Sequence, residues 1–211
     1  NPNPNPRTVL QWKYHMGLTS FKVLAFDVYG TLIDWETGIA SSLKTLTKKV
    51  KHPLSLNHIL QAHALFESSA QRQTPAKPYN EILSGVYRSL AEKWNVSVTQ
   101  EECVAYGSSI ANWPAFEDSV DALFYLKKYY KLVVLSNVDN LSFSTSRKKL
   151  QVTFDAIYTA EDIGSYKPDI RNFEYMIKGL SRLGFTRNEI LHTAESMFHD
   201  HAPANEVGLA S

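Results

Sequence analysis

Residues 21–35, F-K-V-L-A-F-D-V-Y-G-T-L-I-D-W, set the tightest limit on what this chain can fold into. The run from Phe21 to Phe26 has the length and apolar composition of a buried strand. Asp27 falls where that strand ends, Gly30 permits a sharp turn, and Thr31 places a hydroxyl beside it. In an open α/β sheet ligands bind just outside the carboxyl ends of the strands. Asp27 is therefore placed either to act as a nucleophile in front of a turn rich in backbone N–H groups, or simply to cap that turn.

The remaining pattern decides the fold class. From about Trp35 to Ala111 the apolar spacing is helical, over Ile39–Val50, Leu56–Gln71, Tyr79–Trp94 and Gln100–Ile110. Pro53, the stretch Thr74–Pro78 and the polar Asn95–Thr99 separate these segments. Four consecutive helices between two strands exceed an ordinary crossover and read as an inserted helical cap. Beyond Trp113-Pro114 strands and helices alternate, with strands at Lys131–Leu135, Phe154–Thr159 and Ile190–Thr193. Helices are expected over Val120–Tyr130 and near 140–150 and 171–183. That alternation predicts an α/β fold, a Rossmann-like, doubly wound parallel sheet with the cap inserted after the first strand. The core takes 21–36 and 112–211, the cap 37–111, and 1–20 form an N-terminal extension. Its N-P-N-P-N-P start denies regular hydrogen bonding and reads as an extended tail, while Trp12, Tyr14 and Met16 could pack onto the body. A further short strand is expected to begin at the closing Gly-Leu-Ala-Ser.

Composition excludes several classes. The 211 residues suffice for one core with a modest insertion. With 22 basic and 21 acidic residues well mixed, net charge is +1, which gives no electrostatic case for nucleic acid. No apolar run reaches the about 18–20 residues that span a bilayer, so no membrane partner is expected. The single cysteine, Cys103, precludes an internal disulfide framework and reads as a buried small hydrophobe. Without a secretory signal the expected location is cytoplasmic.

Three further signals follow the strands. Ser136 and Asn137 end the second strand, where they either begin a loop or hold an anionic group against the nucleophile. Lys167, fixed before Pro168 in Y-K-P-D, can reach back to pair with Asp27 or remain a solvated lysine. Glu195 and Asp200, in T-A-E-S-M-F-H-D after the last strand, can bind a divalent cation or orient a water. His199 and His201 at i and i+2 do not match a helical zinc pattern and fit proton handling better. Trp35, Trp113 and Phe116 mark the cap–core junction, as hinge packing or as lining of an apolar pocket.

The order strand-DxxxT, strand-SN, K-P-D and strand-acid resembles the haloacid dehalogenase-like hydrolase superfamily over nearly the whole chain. Its phosphatases carry a second aspartate two positions after the nucleophile, where this chain has Tyr29; D-V-Y-G-T-L-I-D and S-Y-K-P-D resemble the 2-haloacid dehalogenase branch instead. The resemblance implies a hydrolase acting on a small organic acid, with Asp27 displacing halide to form an ester that water hydrolyses without a cofactor. It makes Asp27, Thr31, Lys167 and Asp200 catalytic, and Tyr29, Ser136, Asn137, Trp35 and Glu195 substrate-binding. The alternatives are a magnesium-dependent phosphohydrolase, holding the ion with Asp27, the Tyr29 backbone, Glu195 and Asp200, or a binding or biosynthetic protein on the same fold. A homodimer through cap and core helices is compatible with the sequence. Two departures stand out: the branch's substrate-binding cap arginine aligns with Ala62, beside His63 and upstream of Arg72, and Met197 replaces an asparagine.

Overall fold

The computed structural model describes residues 17–211. Most of the predicted N-terminal extension, with Trp12, Tyr14 and Met16, lies outside the described residues; its last part forms a short 3-10 turn, Leu18–Ser20. Four strands, β1 (Val23–Phe26), β2 (Lys131–Ser136), β3 (Ala156–Thr159) and β4 (Ile190–Thr193), make one sheet in the order β3-β2-β1-β4. Every pairing is parallel. The chain builds outward from β1 through β2 to β3, then crosses back to place β4 on the other side of β1. The strand order therefore reverses beside β1, and Phe26 pairs with Val134 on one side and Thr193 on the other. This reversal opens a crevice at the carboxyl edge where Asp27 emerges.

The helices are α1 (Trp35–Ser42), α2 (Lys44–Thr47), α3 (Leu56–Gln73), α4 (Tyr79–Lys93), α5 (Gln100–Gly107), α6 (Ser119–Leu126), α7 (Asn140–Leu150), α8 (Ala160–Ile163), α9 (Ile170–Arg182) and α10 (Ala202–Glu206). The segment expected as one helix over 39–50 is broken into α1 and α2 at Leu43. The third strand is shorter than its apolar pattern implied. Asp155 interrupts it: its side chain accepts from the Leu132 N–H at 2.9 Å, while its own N–H donates to the Leu132 carbonyl at 2.7 Å. Phe154 is thereby released from the strand to pack against Phe143, ring centroids 6.2 Å apart. At the chain's end Ala210 pairs in parallel with Leu191, where the further short strand was expected to begin.

Burial follows the strand alternation. Val23 and Ala25 face Phe173, Met176 and Leu180 of α9. Leu24 and Phe26 face a larger cluster that runs without interruption through Val28, Leu32 and Ile33 into α3, α4 and α5. A core tie reinforces this continuity: Asp139 caps α7 through Ser142 and also accepts from the Asn80 N–H of α4 at 3.0 Å. Cys103 is buried in that cluster as a free thiol. Among the described residues no helix is long and apolar enough to cross a membrane.

Trp113 joins the helical layer to the core. It is 1% exposed and lies against the backbone of Gly38 in α1. A Cβ on Gly38 would sit 2.3 Å from Trp113 Cγ, so only glycine admits the indole. Gly38→Ala should cost about 1–3 kcal/mol of stability by overpacking, read as a lower denaturation midpoint at unchanged m-value.

Candidate active site

The site grows from the turn after β1. The Val28 carbonyl accepts the N–H groups of Thr31, Leu32 and Ile33 at 3.2, 2.7 and 2.9 Å. This tight winding, with Gly30 at φ +99°, folds Thr31 back over the strand end. The Thr31 hydroxyl donates to Asp27 Oδ2 at 3.0 Å and accepts from the Glu195 N–H at 3.1 Å. The β1 turn and the loop after β4 are thus joined through one hydroxyl.

Lys167 occupies the centre. Its ammonium donates to Asp27 Oδ1 at 2.9 Å, the Leu135 carbonyl at 2.9 Å and Asp200 Oδ1 at 2.6 Å. A lysine has three N–H donors, and all three are used. Burial works against its charge, but the carboxylates of Asp200 and Asp27 outweigh it and raise its pKa. Burial also opposes ionisation of Asp200; the Lys167 ammonium and the His192 bond prevail and hold the carboxyl down at about 2. His192 Nε2 meets Asp200 Oδ1 at 2.8 Å, and burial pushes this histidine's pKa down. A neutral ring donating from Nε2 satisfies the acid and leaves only a lone pair at the buried, unpartnered Nδ1.

Eight of the nine predicted side chains border one cavity, and the ninth, Thr31, acts from behind the turn. Asp27, Tyr29, Trp35, Ser136, Asn137, Lys167, Glu195 and Asp200 line a space of about 160 Å³ between the strand ends and the helical layer. Ser136 Oγ and Asp200 Oδ2 are buried there without a hydrogen-bond partner. Tyr29 presents no titrating acid: burial raises its pKa strongly, and its hydroxyl is paired with Ser146 Oγ at 2.8 Å.

Two further placements shape the site. Asn137 braces the lysine: its Oδ1 accepts from the Lys167 N–H at 2.7 Å and its Nδ2 donates to the Lys167 carbonyl at 2.9 Å, bonds that use one of its two amide N–H groups. It fixes the backbone from which the ammonium springs. Of the magnesium set, Asp27, the Tyr29 backbone, Glu195 and Asp200, the Glu195 side chain is exposed at the rim and the Lys167 ammonium bridges the two aspartates. Among the described residues no three His, Cys, Asp or Glu side chains form a metal-binding group, which also removes the zinc reading of His199 and His201. His199 lines the cavity, its pKa lowered by burial and by Lys167, whereas His201 Nε2 meets the Ala194 carbonyl at 2.7 Å. Phe116 borders neither this cavity nor its neighbour; its backbone N–H bonds Leu32.

On the opposite wall, α3 and α4 supply polar groups that sequence patterning did not single out: Glu67, Ser68, Gln71 and Tyr79. Ala62 and His63 face away from the cavity; His63 is fully buried, bonded to Tyr106 at 2.8 Å, and burial pushes its pKa down to about 3. Arg72 borders an adjoining outer cavity of about 280 Å³, which shares Ser68, Gln71, Lys167 and His199 with the inner one. His192 was also overlooked, since nothing in I-L-H-T marks an inward histidine except its place next to the acid-bearing loop.

A parallel α/β sheet with a carboxylate at its switch point, paired to a lysine and a second acid from later loops, defines the class of this protein. The family model described as haloacid dehalogenase-like hydrolase matches residues 21–193, and the chain belongs to that family. Solved structures agree in fold at low identity. The L-2-haloacid dehalogenase of Xanthobacter autotrophicus with chloropropionic acid covalently bound is 16% identical at a TM-score of 0.75, covering 90% of this chain and 75% of its own. A defluorinating L-2-haloacid dehalogenase is 18% identical at TM-score 0.75, covering 90% and 79%. The putative HAD-hydrolase YfnB of Bacillus subtilis, in a magnesium-bound form, is 17% identical at TM-score 0.73, covering 90% and 86%. No curated protein matches the sequence.

The depressed Asp200 pKa has a thermodynamic sign. Ionised Asp200 stabilises the fold above the ordinary aspartate value near 3.9, and that stability is lost as pH falls from about 4 toward 2. The expected contribution is on the order of 2 kcal/mol. Asp200→Asn should flatten the pH dependence of stability across that window, measured by urea titrations from pH 2 to 6.

Proposed function

We propose that Asp27 is the nucleophile of a hydrolase that works through a covalent aspartyl ester, with a carbon–halogen bond as the bond it breaks. The observation that carries this reading is the double restraint on the Asp27 carboxylate, held by Lys167 at Oδ1 and Thr31 at Oδ2 on a rigid strand end facing the cavity. A carboxylate so held loses little further freedom on attack.

In the first step an Asp27 oxygen attacks the saturated carbon bearing the halogen. The C–O bond forms as the carbon–halogen bond breaks, and the bonding pair leaves with the halide. In the second step water adds to the ester carbonyl of Asp27, one proton passing to Asp200, which lines the same cavity and whose Oδ2 has no hydrogen-bond partner. Collapse releases the alcohol, which takes up the proton held by Asp200, and the second proton of the water, left on the Asp27 carboxyl, passes to solvent and so regenerates the carboxylate. Lys167 stays charged throughout and offsets the negative charge that builds on the tetrahedral intermediate. Tyr29 supports a halide as leaving group. An alkoxide from an ester would need a proton, and the raised pKa of this phenol makes it a poor acid, whereas a halide departs as a stable anion.

Single turnover in 18O-labelled water tests the reading directly. The label should enter the Asp27 side chain, as seen by peptide mass spectrometry, with halide released in the presence of EDTA from small halogenated substrates, (S)-2-chloropropionate among them. Asp27→Asn should lower halide release by roughly 10⁴-fold or more. Label found only in the product from the first turnover, or full activity of Asp27→Asn, would sink it.

A further inference from the structure

The resemblance implies an organic acid substrate, yet the cavity offers an anion no free cation. Lys167 has spent its three donors on Asp27, Leu135 and Asp200. Burial disfavours the charged form of His199. Arg72 and Arg171 border only the outer cavity, and Arg171 is tied to Asp169 at 2.8 Å. Against one lysine, the inner cavity is lined by four acids: Asp27, Glu67, Glu195 and Asp200.

Glu67 is the member of this set that the hydrolytic steps do not use. It projects from α3, on the wall facing the strand ends. The Tyr79 hydroxyl donates to its Oε1 and orients the carboxyl, and among the described residues no hydrogen bond is made to Oε2; burial raises the pKa of Glu67 to about 7, and an ammonium placed against it favours the ionised form. Gln71, 8% exposed, lies one turn along the same helix face and adds its amide to the wall. Two residues of the lining, Ser136 and Asp200, carry a buried polar atom with no hydrogen-bond partner, Oγ and Oδ2 respectively.

We propose that this cavity selects a substrate carrying a primary ammonium, seated on Glu67, in place of the free carboxylate of a 2-haloacid. The assignment rests on the aspartyl-ester reading for what happens at the other end of the substrate. The halogen-bearing carbon faces Asp27 and the ammonium faces α3, where Glu67 Oε2 accepts a charge-assisted hydrogen bond. An ammonium is favoured by the negative field of the lining acids; a carboxylate in the same place meets like charge with only neutral donors, such as the Ser136 hydroxyl and the Trp113 N–H, to offset it.

A matched pair of substrates tests it: halide release from 3-chloropropylamine and from 3-chloropropionate, by the wild-type protein and by Glu67→Gln. Glutamine keeps an acceptor for Tyr79 while removing the charge. The wild type should favour the amine by about tenfold or more in kcat/KM, and Glu67→Gln should erase that preference mainly through KM. A preference for the acid, or a ratio unmoved by Glu67→Gln, overturns the proposal. Binding keeps the question separate from the chemistry: in thermal-shift titrations propylammonium should stabilise the wild type more than propionate, and Glu67→Gln should remove the difference. Propionate binding as well or better overturns the ammonium assignment even if aspartyl labelling succeeds. Ammonium preference without aspartyl labelling overturns the catalytic reading alone.

Discussion

The buried Lys167 ammonium is the interaction on which the rest of the site depends. It lies where β1, β2 and the loop after β4 converge and takes an acceptor from each of them. A lone ammonium at such a place would lose its charge to desolvation. Two carboxylates and a carbonyl keep it charged, and it in turn keeps Asp200 ionised. Removing either aspartate leaves a buried charge short of a partner, typically a loss of about 3–5 kcal/mol. The charge arrangement useful for ester chemistry is therefore also a structural joint between three strand ends. Asn137 serves that joint from outside by holding both backbone polar groups of Lys167.

Much of this was legible in the sequence because the chemistry sits at strand ends, and strand ends are marked by abrupt changes from apolar to polar residues. Asp27, Ser136 and Glu195 each follow an apolar run, and the parallel order of those runs brings them to one edge. Lys167 was recognisable from its tether to Pro168 and its place after the third strand. What patterning could not give was partnership. Asn137 looked like a substrate donor because an amide at a strand end is usually free; only the path of the chain shows it bonded to Lys167. His192 and Glu67 were missed for a related reason. One occupies an inward strand position and the other a helix position with no local motif, so their meaning depends on what faces them in space.

The helical layer makes the same point at larger scale. Its helices were readable from apolar periodicity, apart from the break at Leu43. The wall it presents to the strand ends was not, because a residue's side of a helix does not reveal which of several neighbours it meets. Structural neighbours under a fifth identical share the backbone frame of this chain. Frame and wall are independent variables: the first sets where a nucleophile can stand, the second what is allowed to approach it.

The unbroken apolar cluster that links the sheet to α3, α4 and α5 has a consequence for traffic. Swinging the helical layer away from the strand ends would expose that cluster, withdraw Trp113 from Gly38 and part Asp139 from Asn80. Parting the layers therefore costs buried apolar contact, whereas the outer cavity already adjoins the inner one at Ser68, Gln71, Lys167 and His199.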